Sequence, residues 1–275
     1  MNLRKFFIHQ GSSILSKNFN SATYVLVHGA WHGGWCWERV IPLLENQGHR
    51  VIAPDLPGHG KDVTPFSGIT LQTYVDRITE SVRMYDHPVV LVGHSMAGVV
   101  ISQVAENIPD KISALIYIAA FIPMDNESLS SQARKARSAG VSSEMSVNED
   151  KNEIDLRKTD RVRELFFNAC DAGHASRGMT LLQKEPFLPF IDTINISHER
   201  FGSVRKIYVE CLKDEAIKQE DQKRMSAQAN CEIVTLENAD HSPFYSAHED
   251  LAKILIKYGN IMMPQSEYKL GQCTL

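Results

Sequence analysis

Six short runs of apolar, largely β-branched residues recur along the chain: Tyr24 to His28, Arg50 to Pro54, Pro88 to Gly93, Ala114 to Ala120, Arg205 to Cys211 and Cys231 to Leu236. Several are apolar at nearly every position rather than at alternate ones, the pattern of strands covered on both faces of a sheet. Longer amphipathic stretches lie between and after them. Trp37 to Gln47 ends at Gly48, Thr70 to Tyr85 opens on a hydroxyl cap, Met96 to Ile108 stops before Pro109, and Ser246 to Tyr258 stops before Gly259. Each of these boundaries is a helix signal. Strands alternating with helices predict a doubly wound, mostly parallel α/β sheet, because parallel neighbours need a crossover connection and a helix usually provides it.

Between Pro123 and Arg200 this rhythm fails. A polar, charge-rich stretch from Ser128 to Lys158 gives way to helical pieces around Arg161 to Cys170 and Ala175 to Gln183. Long interruptions of a compact domain are usually functional, and the aromatic residues of the second half predict a helical cap over residues 123–199. The expected core is then residues 23–122 and 200–260, with an N-terminal extension over 1–22 and a C-terminal tail over 261–275.

Composition narrows the function classes. With 43% hydrophobic and 23% charged residues among 275, the chain has material for a large core. A formal charge of -4 supplies no broad cationic surface, so nucleic acid is not an expected partner. No stretch reaches the ~18 uninterrupted apolar residues of a membrane span. Cys36, Cys170, Cys211, Cys231 and Cys273 are scattered and odd in number, which fits reduced thiols and a cytoplasmic location. The start, Arg4-Lys5-Phe6-Phe7-Ile8, is broken too early by His9 and Gln10 for a secretion signal. Cys273 stands one place too late for prenylation. Oligomeric state stays open, a homodimer included.

The candidate chemistry begins at the end of the third strand, in Gly93-His94-Ser95-Met96-Ala97-Gly98, which leads straight into a helix. A serine on so tight a turn sits in a strained backbone that needs small neighbours, here Gly93 and Ala97. The turn also sets Ser95 at a helix N-terminus, where a developing negative charge is favoured. This is similar to the nucleophile elbow of α/β-hydrolases, with Ala97 in place of the last glycine of G-x-S-x-G. His94 adjoins the serine but points away on such a turn, and is read as a packing or loop-anchoring residue.

A serine hydroxyl needs a histidine to take its proton and an acid to hold that histidine. In α/β-hydrolases both follow the nucleophile, on loops after late strands. His241 follows the last strand closely, and Asp214 lies just past the run Ile207 to Leu212. Asp125, after the preceding strand, is the rival acid. Asp240 adjoins His241 and is read as a loop residue. After the first strand comes His28-Gly29-Ala30-Trp31-His32-Gly33-Gly34, a glycine-rich loop able to turn an N–H inward. The amides of Ala30 and Met96 are the expected oxyanion hole. His28 and His32 have i, i+4 spacing, but Gly29 argues against a helix there and no third ligand is evident, so no metal is expected.

Together these residues resemble the plant methyl esterase and hydroxynitrile lyase branch of α/β-hydrolases, and related bacterial esterases. The resemblance rests on His28 to Trp37, Gly48-His49-Arg50-Val51 with Pro54-Asp55-Leu56, the elbow, Arg200 to Val204 with Ile207-Tyr208, Asp214, and Asp240-His241. It implies an α/β-hydrolase fold with the cap inserted after the sixth strand. It also implies a serine carboxylesterase of small esters, methyl-ester or short-chain, without a cofactor. Lyases of that branch have a threonine where this chain has Gly29 and a lysine where it has Ser242, which favours hydrolysis. Acyl transfer to an alcohol and a ligand-binding receptor or carrier are the other readings. Trp31, Phe121, Phe167, Leu182 and Phe187 are the expected substrate-binding residues, with Phe166, Met179, Leu188 and Phe190 as further candidates.

Overall fold

A computed structural model describes residues 21–136 and 140–261. Most of the expected N-terminal extension, the tail beyond residue 261 and Cys273 lie outside them. All six predicted strands form: β1 (Thr23–Val27), β2 (Arg50–Ile52), β3 (Val89–His94), β4 (Ile112–Ile118) and, after a separate hairpin β5 (Met145–Asn148) and β6 (Glu153–Leu156), β7 (Lys206–Cys211) and β8 (Glu232–Leu236). The central sheet has the order β2-β1-β3-β4-β7-β8, and every neighbouring pair is parallel. β1, β3 and β7 are buried along their whole length, which is why they carry continuous rather than alternating apolar runs.

The helices, in chain order, are α1 (Ile41–Glu45), α2 (Leu71–Arg83), α3 (Ala97–Asn107), α4 (Leu129–Arg134), α5 (Asp160–Phe167), α6 (Ala172–Leu181), α7 (Leu188–Ile191), α8 (Gln219–Gln228), α9 (Pro243–Ser246) and α10 (His248–Ile261). Thr70 caps α2 as expected, its hydroxyl accepting from the Thr73 amide while Thr73 returns a bond to the Thr70 amide. The helix predicted over Trp37 to Gln47 is split into a 3-10 turn, Gly34–Arg39, and α1. Pro42 has no N–H to continue the first segment and instead sits in the opening turn of the second. Gly48, at φ 81, ends it.

The insertion between β4 and β7 leaves the sheet after the fourth strand of the described chain, not the sixth. It holds α4 to α7 and the β5–β6 hairpin. Register sets the positions of the functional loops: Val27 pairs with Gly93, so the loop after β1 lies beside the turn after β3. Cys211 pairs with Leu236, so the loops after β7 and β8 leave the same edge together.

Candidate active site

Ser95 follows β3 directly and takes φ 53, a left-handed conformation that costs a non-glycine residue roughly 1–3 kcal/mol. Its neighbours hold it there. The Ser95 carbonyl accepts from the amides of Gly98 (3.1 Å) and Phe121 (3.1 Å), and its own amide donates to Ile118 (3.2 Å). A Cβ on Gly98 would lie 2.1 Å from the Phe121 carbonyl oxygen, and one on Gly93 would lie 2.9 Å from the Ile101 side chain. The forbidden side chain is therefore at Gly98, while Ala97 is accommodated.

The structure brings Ser95, His241 and Asp214 together. The Ser95 hydroxyl and His241 Nε2 are 3.1 Å apart, and His241 Nδ1 is 2.8 Å from Asp214 Oδ2. The other Asp214 oxygen accepts the amides of Ala216 and Ile217, both at 2.8 Å. All three side chains are buried. Asp125 is exposed, and its oxygens are engaged by the Ile196 amide and Asn126. Asp240 is fully buried and more than a loop residue: it accepts from Ser242, Ser246 and the Ala169 amide, tying the end of α5 to the His241 loop.

Three further histidines surround this relay. His94 Nε2 donates to the His241 carbonyl at 2.7 Å, which makes it the loop anchor the sequence suggested. His28 Nε2 accepts the Leu56 amide (3.0 Å), so its Nδ1 carries the proton and donates to Gly29 (2.9 Å). His32 Nδ1 donates to the Ala30 carbonyl (2.7 Å). Burial lowers all three, His28 and His94 well below the ordinary imidazole range and His32 to about 3. They are neutral scaffold groups at neutral pH.

Beside Ser95 and His241 opens a cavity of about 480 Å³. Ala30 and Met96 line it, and among the described residues neither amide has a protein acceptor. Trp31 and Phe121 line it, together with Phe166 and Phe190. Phe166 stacks on the His241 ring, with centroids 5.3 Å apart. Phe167, Leu182 and Phe187 do not line it, nor do Met179 and Leu188. Phe167 turns away into the packing around His32 and Gly178. Leu182 faces a separate surface groove, and Phe187 is half-buried before α7. Part of the wall comes from regions with no sequence signal: Leu129 and Gln132 on α4, Met145 on β5, and Arg224 on α8.

The sheet order, the elbow and this relay define a class, and the comparison with known proteins gives it the same place. A family profile described as "Alpha/beta hydrolase family" matches residues 24–254, and the chain belongs to that family, within its plant methylesterase branch. Methylesterase 2 of Arabidopsis thaliana is 31% identical over 259 residues, covering 88% of this chain and 97% of that protein. Among solved structures, polyneuridine aldehyde esterase matches with a TM-score of 0.79 and 26% identity, over 86% of this chain and 99% of that one. A pyrethroid hydrolase from Sphingobium faniae also matches at 0.79 and 26%, over 87% and 98%. Among the described residues no helix is long and apolar enough to cross a membrane.

Proposed function

We propose that this chain is a serine carboxylesterase of small carboxylic esters, of methyl-ester or short-chain type, acting through an acyl-enzyme. The supporting observation is the relay from Ser95 through His241 to Asp214, at 3.1 and 2.8 Å. Relatives named methylesterase and esterase support the substrate class.

In this reading His241 Nε2 takes the hydroxyl proton as Ser95 Oγ attacks the ester carbonyl, and Asp214 stabilises the imidazolium that forms. The carbonyl oxygen becomes an oxyanion held by the amides of Ala30 and Met96, each worth roughly 3 kcal/mol in the transition state. His241 then protonates the departing alcohol. Water, activated by the same ring, releases the acid. Residues 123–199 act as the cap, and Trp31 and Phe121 contact the substrate. The chemistry requires no cofactor.

Cyanohydrin cleavage is disfavoured at Gly29, where a Cβ would lie 2.7 Å from His94 Nδ1 and 2.9 Å from Ser95 Cβ. A threonine does not fit there without reshaping the elbow. The test is hydrolysis of p-nitrophenyl acetate and of a panel of methyl esters. Ser95→Ala is expected to lower kcat by at least about 10⁴-fold; equal turnover by the two proteins removes the serine from the mechanism.

A further inference from the structure

Glu185 is a fully buried carboxylate in the insertion, and nothing in the reaction outlined above uses it. Three donors from three parts of the core converge on it. Oε2 accepts the Trp31 amide at 2.8 Å and His59 Nε2–H at 2.9 Å, and Oε1 accepts the Tyr74 hydroxyl at 2.8 Å. The Glu185 backbone is fixed too, exchanging bonds of 2.7 and 3.0 Å with Ile154 on β6. Two residues earlier, the Gln183 amide donates to the Trp31 carbonyl at 2.9 Å, and its side chain accepts the Gly60 amide at 2.7 Å. Both backbone polar groups of Trp31 are thus bound by the insertion. Trp31 is the residue after Ala30, and it holds φ 62 without being glycine.

We propose that Glu185 is a positioning residue for the oxyanion hole, holding the Trp31 amide so that the preceding Ala30 N–H stays aimed at the reacting carbonyl. The proposal rests on the assignment of Ser95 as nucleophile and Ala30 as oxyanion donor. The peptide between Ala30 and Trp31 is gripped at both ends, its oxygen by His32 Nδ1 at 2.7 Å and its N–H by Glu185. The preceding peptide is gripped at its oxygen, where Gly29 accepts from His28 Nδ1 at 2.9 Å and the His32 amide at 3.3 Å. In a trans peptide the N–H points opposite to the carbonyl. With the Gly29 oxygen turned toward the two histidines, the Ala30 N–H faces the other way. An ionised acceptor suits this task because its hydrogen bonds are shorter and stronger than those of a neutral one. Its buried charge is balanced by His59, which also donates from Nδ1 to the Pro57 carbonyl at 3.3 Å. Burial by itself lowers the His59 pKa, but the Glu185 carboxylate, the Pro57 carbonyl and Asp55 together outweigh it and the net shift is upward.

The test compares wild type with Glu185→Gln and Glu185→Asp. Gln keeps the shape but removes the charge, so that the Trp31 N–H meets only a neutral, weaker acceptor while the new NH2 faces the Tyr74 hydroxyl. Asp keeps the charge but draws the carboxylate back from Trp31 and His59, which share one of its oxygens, and so serves if the Gln variant does not fold. For both, kcat is expected to fall about 10- to 100-fold, less than the loss of a whole oxyanion donor, with KM within about twofold. Affinity for a trifluoromethyl ketone, which mimics the tetrahedral oxyanion, is expected to fall by the same factor as kcat. Ile78→Val in the buried face of α2 is the stability control, lowering Tm without moving that affinity. A folded variant at 185 with wild-type kcat and wild-type ketone affinity overturns the proposal. Failure of a fluorophosphonate to label Ser95 in the wild type overturns instead the functional reading beneath it.

Discussion

Asp214 accepts three hydrogen bonds, one from His241 on Oδ2 and two from the Ala216 and Ile217 amides on Oδ1. An amide side chain has only one acceptor oxygen, so in Asp214→Asn the NH2 either faces the two backbone amides or donates to His241 Nδ1 and holds the ring in the tautomer whose Nε2 cannot take a proton from Ser95. Steady-state kinetics are expected to show kcat reduced about 10⁴-fold; a rate within tenfold of wild type would take Asp214 out of the relay. Gly98 makes a steric demand of the same local kind. Gly98→Ala drives a methyl group against the carbonyl of Phe121, whose own amide donates to the Ser95 carbonyl. It is expected to cost roughly 1–3 kcal/mol in urea unfolding and to reduce turnover. Gly68→Ala, where a Cβ meets nothing within 4 Å, is the matched control, expected to stay within about 0.5 kcal/mol of wild type.

The insertion shows what happens when elements are short and lean on distant parts of the chain. Asn152, at φ 50, turns the chain between β5 and β6. Its side chain donates to the Phe66 and Ile69 carbonyls (2.6 and 2.8 Å) and accepts the Leu188 amide (2.7 Å). Asn152→Ala removes all three bonds and places alanine in a left-handed conformation, for an expected loss of about 3 kcal/mol. Asn152→Gly relieves the backbone but not the lost bonds, so its urea midpoint should fall between those of Asn152→Ala and wild type; identical midpoints for all three would mean the hairpin is not fastened there. Ser95, Asp214 and His241 are legible in the sequence because each lies within a few residues of a strongly apolar strand, on a sheet whose order is set by those strands. The β5–β6 hairpin is not, since β5 is four residues long and mostly exposed. The pocket is legible only in part. Phe166 and Phe167 look alike in sequence, but neighbours on a helix point about 100° apart, and only Phe166 reaches His241. Glu185, between Lys184 and Pro186, reads as a surface charge because its partners lie 111 to 154 positions away.

At the scale of the whole molecule, His28, His32 and His94 make the fold sensitive to acid. Burial keeps all three neutral, with folded pKa values below the ordinary 6.5. The unfolded chain binds protons at these sites before the folded one does, so their contribution is present above pH 6.5 and is lost as pH falls below it. Each costs about 1.4 kcal/mol per pH unit in that range. His59 has the opposite sign: its raised pKa contributes stability fully present below pH 6.5 and lost as pH rises through the raised value. With His49, also lowered by burial, four sites against one predict a clear drop in Tm between pH 7 and 5.5, and a flat profile over that interval would contradict the buried neutral assignment. The grip of residues 183–185 on Trp31 also bears on how such enzymes diversify. Grafting a relative's sequence between β4 and β7 would exchange part of the cavity wall while leaving Ser95, Asp214 and His241 untouched. Only donors that bring their own acceptor for the Trp31 N–H should yield active chimaeras.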